Sequence, residues 1–432
     1  MKKSIYTIIE KVDDSNYIFY NTRTAFVKIY SKELYNDFLN DKFDQFKNFV
    51  VDDNLDEFKD VSDTRKKYIN KKKDYIRFTI FPTSKCNAGC RFCYENGMKR
   101  VDMSKETIDD TIEFIKSVSK DYKKLRIYWF GGEPFVNLEA VYKITEELTK
   151  FCDKNAISYK ASVATNLSLI NEDNYNDIID NLRIDKLEFA FDGVNEKHNK
   201  IKNYFKKDFD AFNHNIKMLP LLLDKGVTVQ LRLNCDMSNF EELEELLDKL
   251  MSKYSSYDNF IPYFAMIFAT KHYDGNGSII DANNLANYKL KIIEIMNKYS
   301  KLGMEAFPLG RSINNCYGSN PNSIVIGPDG TLTKCQGCVM EKSQYIGNVK
   351  TRLEKNDIYN KWINDFLIKE CNTCQLYPIC LGGCSNSNLL NGLKPCIKEK
   401  YYMSELLQFV GKYMLNNNIK EYQYEIEEKK NV

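Results

Sequence analysis

Residues 75–93 read YIRFTIFPTSKCNAGCRFC: a short apolar run with strand character, a Pro-Thr-Ser turn, and three cysteines, Cys86, Cys90 and Cys93, on one loop. A strand that ends in a loop of chemistry-bearing side chains fits βα architecture, where sites lie beyond the C-terminal ends of the strands. The pattern repeats downstream. KLRIYWF, SYKASVA, KLEFAF, VTVQLRL and FIPYFAMIF alternate with helical runs such as SKETIDDTIEFIKSV and FEELEELLDKLM. Six strand-like segments separated by helical ones predict parallel βα units. A closed eight-unit barrel needs two more, so the expectation is an open α/β barrel of six units that ends near LANYKLKIIEIMNKYSKL.

On either side of this region the pattern differs. Before it, SIYTIIE, NYIFY and TAFVKIY predict short strands, and SKELYNDFL a helix capped by Ser31, which together make a small α+β module. Residues 60–74, DVSDTRKKYINKKKD, are almost wholly polar and basic, and a solvated linker is the favoured reading over a charged helix face. After Gly303 the chain breaks into short pieces punctuated by Gly, Asn and Pro and dense in cysteine, and only Lys398 to Leu415 recovers a helical pattern. Apolar burial alone would hardly fold such a segment, whereas metal ligation would supply cross-links.

Composition narrows the function. The 432 residues are 43% hydrophobic and 13% aromatic, enough for two or three cored domains. The 62 Lys and Arg nearly cancel 60 Asp and Glu, which gives no polyanion-binding footprint and no expected nucleic-acid partner. No apolar run approaches the roughly 18 residues of a spanning helix, and Met1 to Asp14 has no signal-peptide core. The expectation is a soluble cytoplasmic protein with no membrane partner, in a compartment that keeps thiols reduced. Thirteen cysteines there call for a use other than disulfides. Three thiolates spaced C-x3-C-x2-C can hold three corners of a cubane iron–sulfur cluster and leave one iron open. Zinc with a fourth ligand elsewhere is the alternative, but its spacing is more usually C-x2-C, and none of the three histidines, His198, His214 and His272, is near the loop in sequence.

This loop, with Phe92 just before its third cysteine, resembles that of the radical S-adenosylmethionine (SAM) enzymes. The resemblance implies a [4Fe-4S] cluster on Cys86, Cys90 and Cys93 whose open iron chelates SAM, and reductive cleavage of SAM to a 5′-deoxyadenosyl radical. Gly131-Gly132-Glu133-Pro134 matches the family's GGEP element, in which glycines permit close backbone approach and Glu133 offers an acceptor for an ammonium group. Thr165-Asn166 matches its Thr-Asn-Gly element except that Leu167 replaces glycine. Asp192-Gly193 ends the fourth strand, after Ala190-Phe191 where Ser-Leu is usual, and Arg232 and Asn234 share a face of the fifth. Gly131, Gly132, Glu133 and Pro134, read in register with the cysteine loop, are favoured as cofactor-binding residues over a mere helix-entry turn, whereas Thr165, Asn166, Asp192, Arg232 and Asn234 are candidate cofactor-binding residues and equally candidate turn or barrel-interior residues. His198 stands where the family often has histidine, but Asn199 and Lys202 replace the usual following Asp and Arg, and hydrogen bonding within a loop is its expected job.

The C-terminal cysteines resemble the SPASM extension of that family: Cys316, thirteen residues, Gly330, four residues and Cys335, then Cys371-x2-Cys374-x5-Cys380-x3-Cys384 and Cys396. The resemblance implies one auxiliary iron–sulfur cluster on Cys371, Cys374, Cys380 and Cys396. A second would use Cys316, Cys335 and Cys384, with Cys338 either its fourth ligand or free. Zinc is again the alternative for the Cys371–Cys384 block. Cys152 and Cys235 read as small buried hydrophobes.

The fold class expected is therefore α/β: a partial (β/α)6 radical SAM barrel at 75–305, preceded by the α+β module and linker at 1–74, followed by a cysteine-rich SPASM domain at 306–400 and a C-terminal helix and tail at 401–432. Enzymes with these parts mostly modify peptides. The N-terminal module matches, in architecture only, the leader-peptide-binding domain of ribosomal-peptide maturases, which favours such a maturase over an anaerobic sulfatase maturase that forms formylglycine. The expected reaction is an oxidative cross-link in a precursor peptide, a Cys thioether above all, with flavodoxin or ferredoxin as electron donor. A non-catalytic iron–sulfur carrier or scaffold is the alternative of another class. The Lys- and Asn-rich wording and the iron–sulfur content suit an anaerobic bacterium.

Overall fold

The computed structural model describes residues 1–269, 273, 275, 277–281, 284–299, 303–313, 316–364, 369–391 and 396–427, so His272 lies outside the described residues. They form two compact units that do not follow chain order: 73–280 with 321–360, and 1–72 with 281–320 and 361–432.

The first unit is built on a sheet whose six central strands are β1 (Tyr75–Ile80), β2 (Lys124–Trp129), β3 (Ser158–Ala164), β4 (Ile184–Phe191), β5 (Thr228–Cys235) and β6 (Phe260–Met266). Each pairs in parallel with the next, in sequence order. Alternate residues such as Leu125, Ile127 and Trp129 are buried against intervening helices, including Lys105–Ser119, Leu138–Lys154 and Phe240–Tyr254. Ser104 caps the first of these by accepting from Thr107 N–H. The sheet is open, as expected. It is also longer than expected: β7 (Ser323–Ile326) adds in parallel beside β1, and β8 (Leu332–Thr333) returns antiparallel to it. All four β7 residues are buried, and the turn to β8 closes on Asp329, which accepts from Thr331, and on Gly330 at φ 78°.

In the second unit, strands Thr7–Lys11, Asn16–Asn21 and Phe26–Ser31 form an antiparallel meander with Glu421–Gln423 on its far edge. Ser31 caps helix Lys32–Leu39, accepting from Leu34 N–H. Phe19, Phe26, Tyr30, Phe38, Phe46 and Phe49 form the core of this module. The linker reading of residues 60–74 is overturned over most of its length. Residues Glu57–Asn70 are an α-helix capped by Asp56, with Val61, Arg65 and Tyr68 buried along one face. Those positions recur at helical spacing, but the intervening lysines hide the stripe. Helix Met403–Asn416 packs so closely here that a Cβ on Gly411 would lie 2.4 Å from Val12 Cγ2. Gly411→Ala should therefore lower stability by about 1–3 kcal/mol despite its better helix propensity. Urea unfolding checks this, and a double-mutant cycle with Val12→Ala should show favourable coupling.

Candidate active site

The loop after β1 is held at its base. Ser84 N–H donates to Val101 O, Met103 N–H to Pro82 O, and Thr83 bridges Asp102, whose carboxylate also takes the Thr83 hydroxyl and Lys85 Nζ at 2.6 Å each. The GGEP turn after β2 lies directly beneath. Glu133 N–H donates to Lys85 O at 2.9 Å, and Cβ atoms on Gly131 and Gly132 would lie 2.3 Å from Thr83 O and 2.1 Å from Lys85 O. The close approach that these glycines permit is thus to the cysteine loop's own backbone.

A cavity of about 320 Å³ opens at the C-terminal ends of the strands. Cys86, Cys90 and Cys93 line it, as do Gly131, Gly132, Thr165, Asn166, Arg232 and Asn234. Burial pushes the Cys86 thiol up to about 11 and the Cys90 thiol to about 12, so ligation to iron is what would make them thiolates near neutrality. Among the described residues no three His, Cys, Asp or Glu side chains converge on one metal-ion position. A cubane spreads its thiolates over separate irons, and three thiols around one cavity with an open side fit it.

Glu133, Pro134 and Asp192 do not line the cavity. Glu133 is fully buried behind it, with Oε1 accepting from Thr165 Oγ1 (2.9 Å) and Phe135 N–H (3.3 Å), and Oε2 accepting from Asn166 N–H (2.7 Å). It ties the end of β2 to the end of β3. Asn166 continues the link: its amide donates to Asn87 Oδ1 at 2.8 Å and reaches Cys86 Sγ at 3.8 Å. Leu167, in the family's glycine slot, takes φ 68° and is fully buried, so the left-handed turn is kept at the cost of strain. Arg232 Nε donates to Asn234 Oδ1 at 2.7 Å, and Asn234 Nδ2 donates to Asp192. His198 is buried and accepts Asp192 N–H on Nδ1 at 3.1 Å, the loop hydrogen bond expected of it; burial pulls it down to about 4, so it is neutral.

Sequence reasoning passed over Lys202 and Glu188, both of which line the cavity. Lys202 ends a short helix, Glu196–Lys202, in a run too polar to stand out, and the slot's usual arginine was its one signal. Burial lowers its ammonium, but the Asp192 carboxylate at 2.9 Å and Cys90 outweigh that and raise it. Tyr263 donates to Glu188 at 2.9 Å, across from Arg232.

The other cysteines form separate groups. Burial raises the Cys380 thiol, and Cys396 and Cys371 beside it add to the effect. Lys400 Nζ reaches Cys396 Sγ at 3.4 Å and also feels Cys374. These four cysteines belong to the unit that contains residues 361–432, as do Cys316 and the exposed Cys384. Cys335 and buried Cys338 belong to the other unit, where a hydrogen bond from Cys338 lowers the Cys335 thiol. Cys152 and Cys235 are fully buried.

A parallel sheet with three cysteines on the loop after its first strand defines a class, and residues 80–250 match the model of the radical SAM superfamily. These residues are a radical SAM domain, which implies a [4Fe-4S] cluster and SAM. Among its relatives is the radical SAM cyclopropyl synthase TigE of Paramaledivibacter caminithermalis, 23% identical over 388 residues that span 81% of this chain and 76% of that one. In fold it is similar to anSMEcpe with bound AdoMet (TM-score 0.61, 18% identity, 80% of this chain and 98% of that one). The form of anSMEcpe with AdoMet and the Cp18Cys peptide gives 0.58 at 17% identity, with the same coverage. SuiB of Streptococcus suis bound to S-adenosylmethionine gives 0.51 at 16% identity, covering 89% of this chain and 96% of that one. No helix among the described residues is long and apolar enough to cross a membrane.

Burial pushes Glu133 up to about 7 from its ordinary 4.5, although Asn166 N–H and the Thr165 hydroxyl pull the other way. Its folded pKa is the higher one, so its contribution to stability is full below pH 4.5 and lost as pH rises to 7, on the order of 3 kcal/mol. Thermal unfolding of Glu133→Gln across that range should show a shallower pH dependence than the wild type. At pH 5, where Glu133 is the neutral acid, the variant should lie within about 1 kcal/mol of the wild type, because Gln is close to an isostere of that form.

Proposed function

We propose that the chain is a peptide-modifying radical SAM maturase that installs an oxidative cross-link, with a Cys thioether as its leading product. The observation that carries the reading is the cavity itself, in which three thiols stand among strand-end polar groups, beside a fold neighbour, anSMEcpe, that binds AdoMet and a peptide. Cys86, Cys90 and Cys93 would hold the SAM-binding cluster, which when bound supplies a 5′-deoxyadenosyl radical that abstracts a substrate hydrogen. Gly131, Gly132, Thr165, Asn166, Arg232 and Asn234 would shape the SAM pocket, with Glu133, Pro134 and Asp192 bracing it from behind. Arg232 would offer its guanidinium to a carboxylate.

Residues 371–396 would carry one auxiliary cluster on Cys371, Cys374, Cys380 and Cys396. Cys396 and Cys371 both act on the Cys380 thiol, and Cys396 and Cys374 both act on Lys400, which supports the grouping. Cys316, Cys335, Cys384 and Cys338 would carry a second, and the paired thiols of Cys335 and Cys338 favour Cys338 as its fourth ligand. Such clusters suit the removal of the second electron, with a flavodoxin or ferredoxin as donor for the first. Along the chain, residues 1–74 would serve leader capture, 75–305 the radical SAM chemistry, 306–400 the auxiliary clusters and 401–432 the closing helix and tail, a division by role that cuts across the two compact units.

A second reading, carbon–carbon ring closure, is favoured by the relationship to the cyclopropyl synthase. The two differ in thiol count. Anaerobically reconstituted protein with SAM, reductant and a precursor peptide should release 5′-deoxyadenosine and leave the peptide lighter by about two hydrogens per modification, and Cys90→Ala should abolish both. Loss of one alkylatable thiol per modification supports the thioether; full retention of thiols supports ring closure. Absence of 5′-deoxyadenosine would leave only a carrier or scaffold. Iron analysis should fall from about twelve atoms per chain towards eight in Cys338→Ala, at four irons per cubane.

A further inference from the structure

The loop that carries the three cysteines is paired along its length with residues 201–205. Gly89 N–H donates to Asn203 O at 3.1 Å, Arg91 N–H to Ile201 O at 3.3 Å and Phe205 N–H to Asn87 O at 3.0 Å, while Ala88 and Tyr204 form an antiparallel bridge. In that register Cys90 faces Lys202. The Lys202 side chain is buried, lines the same cavity as the cysteines, and is fixed by Asp192 Oδ2 at 2.9 Å. Asp192 has no solvent exposure and is held in turn by the Asn234 amide and, through its backbone carbonyl, by Asn239 Nδ2 at 2.9 Å.

The ion pair therefore has a direction. Its positive end lies at the cysteine loop, and its negative end is braced from β5 and the turn after it. Two charges kept out of water contribute little net stability, so this pair calls for a role besides holding the fold. In a low-dielectric cavity a unit charge acts strongly over several ångströms. One-electron reduction of a cluster adds a negative charge next to the sulfurs, and nearby charge is among the levers that set the potential of such centres.

Building on the reading that Cys86, Cys90 and Cys93 hold a cluster, we propose that Lys202 is a positioning residue that sets the reduction potential of that cluster. Its fixed positive charge opposite Cys90 favours the reduced state, and Asp192 both fixes that charge and offsets part of it. The two residues then act on the potential with opposite sign.

The test is a redox titration, monitored by electron paramagnetic resonance, of full-length reconstituted protein without SAM, read on the signal that SAM perturbs and Cys90→Ala removes. Lys202→Met should shift the midpoint downward, Asp192→Asn should shift it upward, and Lys202→Arg should stay near the wild type. General loosening of the site would not give opposite shifts. Unchanged midpoints in the Met and Asn variants, or shifts of the same sign, with iron content retained, would overturn the proposal. A wild-type protein with no such signal would overturn the cluster reading, and the proposal with it, and is distinguishable from both.

Discussion

The site rests on the backbone of one loop being clamped from two sides. Below, the carbonyls of Thr83 and Lys85 sit against Gly131, Gly132 and the Glu133 amide, so closely that neither glycine could carry a side chain. Above, residues 87–91 pair with 201–205. A loop of thiols has little apolar surface with which to hold itself, and main-chain hydrogen bonds to rigid neighbours take over that task. The clamps give the GGEP turn and the segment after β4 a part in holding the cysteine loop. The carboxylate of Glu133 and the ion pair of Asp192 with Lys202 extend the same bracing to the ends of β3 and β5.

Much of this architecture was legible. The six central strands are runs of six to eight residues with helices between them, long enough for their period to show. Ser31 and Ser104 announced their helices by chemistry alone. Strand β7 was hidden because it is only SIVI, bounded by Asn-Pro and Gly-Pro turn signals, and its partner is β1, which no local pattern can indicate. The helix at Glu57–Asn70 was masked by lysines that face away from its buried stripe.

The site was legible as residue types and illegible as roles. The cysteine spacing pointed to one cavity, and the three thiols share it. Glu133 advertised an acceptor, but the sequence could not show that three donors of the fold already fill it. Lys202 lay in the polar run EKHNKIK, and only the register of the clamp brings it opposite Cys90. Roles of this kind depend on which backbone pairs with which, and that is decided by tertiary packing.

The central claim is that Cys86, Cys90 and Cys93 hold a cluster with an iron open to SAM. Low-temperature electron paramagnetic resonance of the reduced protein, recorded before and after addition of SAM, tests it most directly. The account predicts a [4Fe-4S] signal whose shape changes with SAM in the wild type and is missing when the three cysteines are replaced by alanine. A wild-type signal that is indifferent to SAM, or one that survives those replacements unchanged, would contradict it.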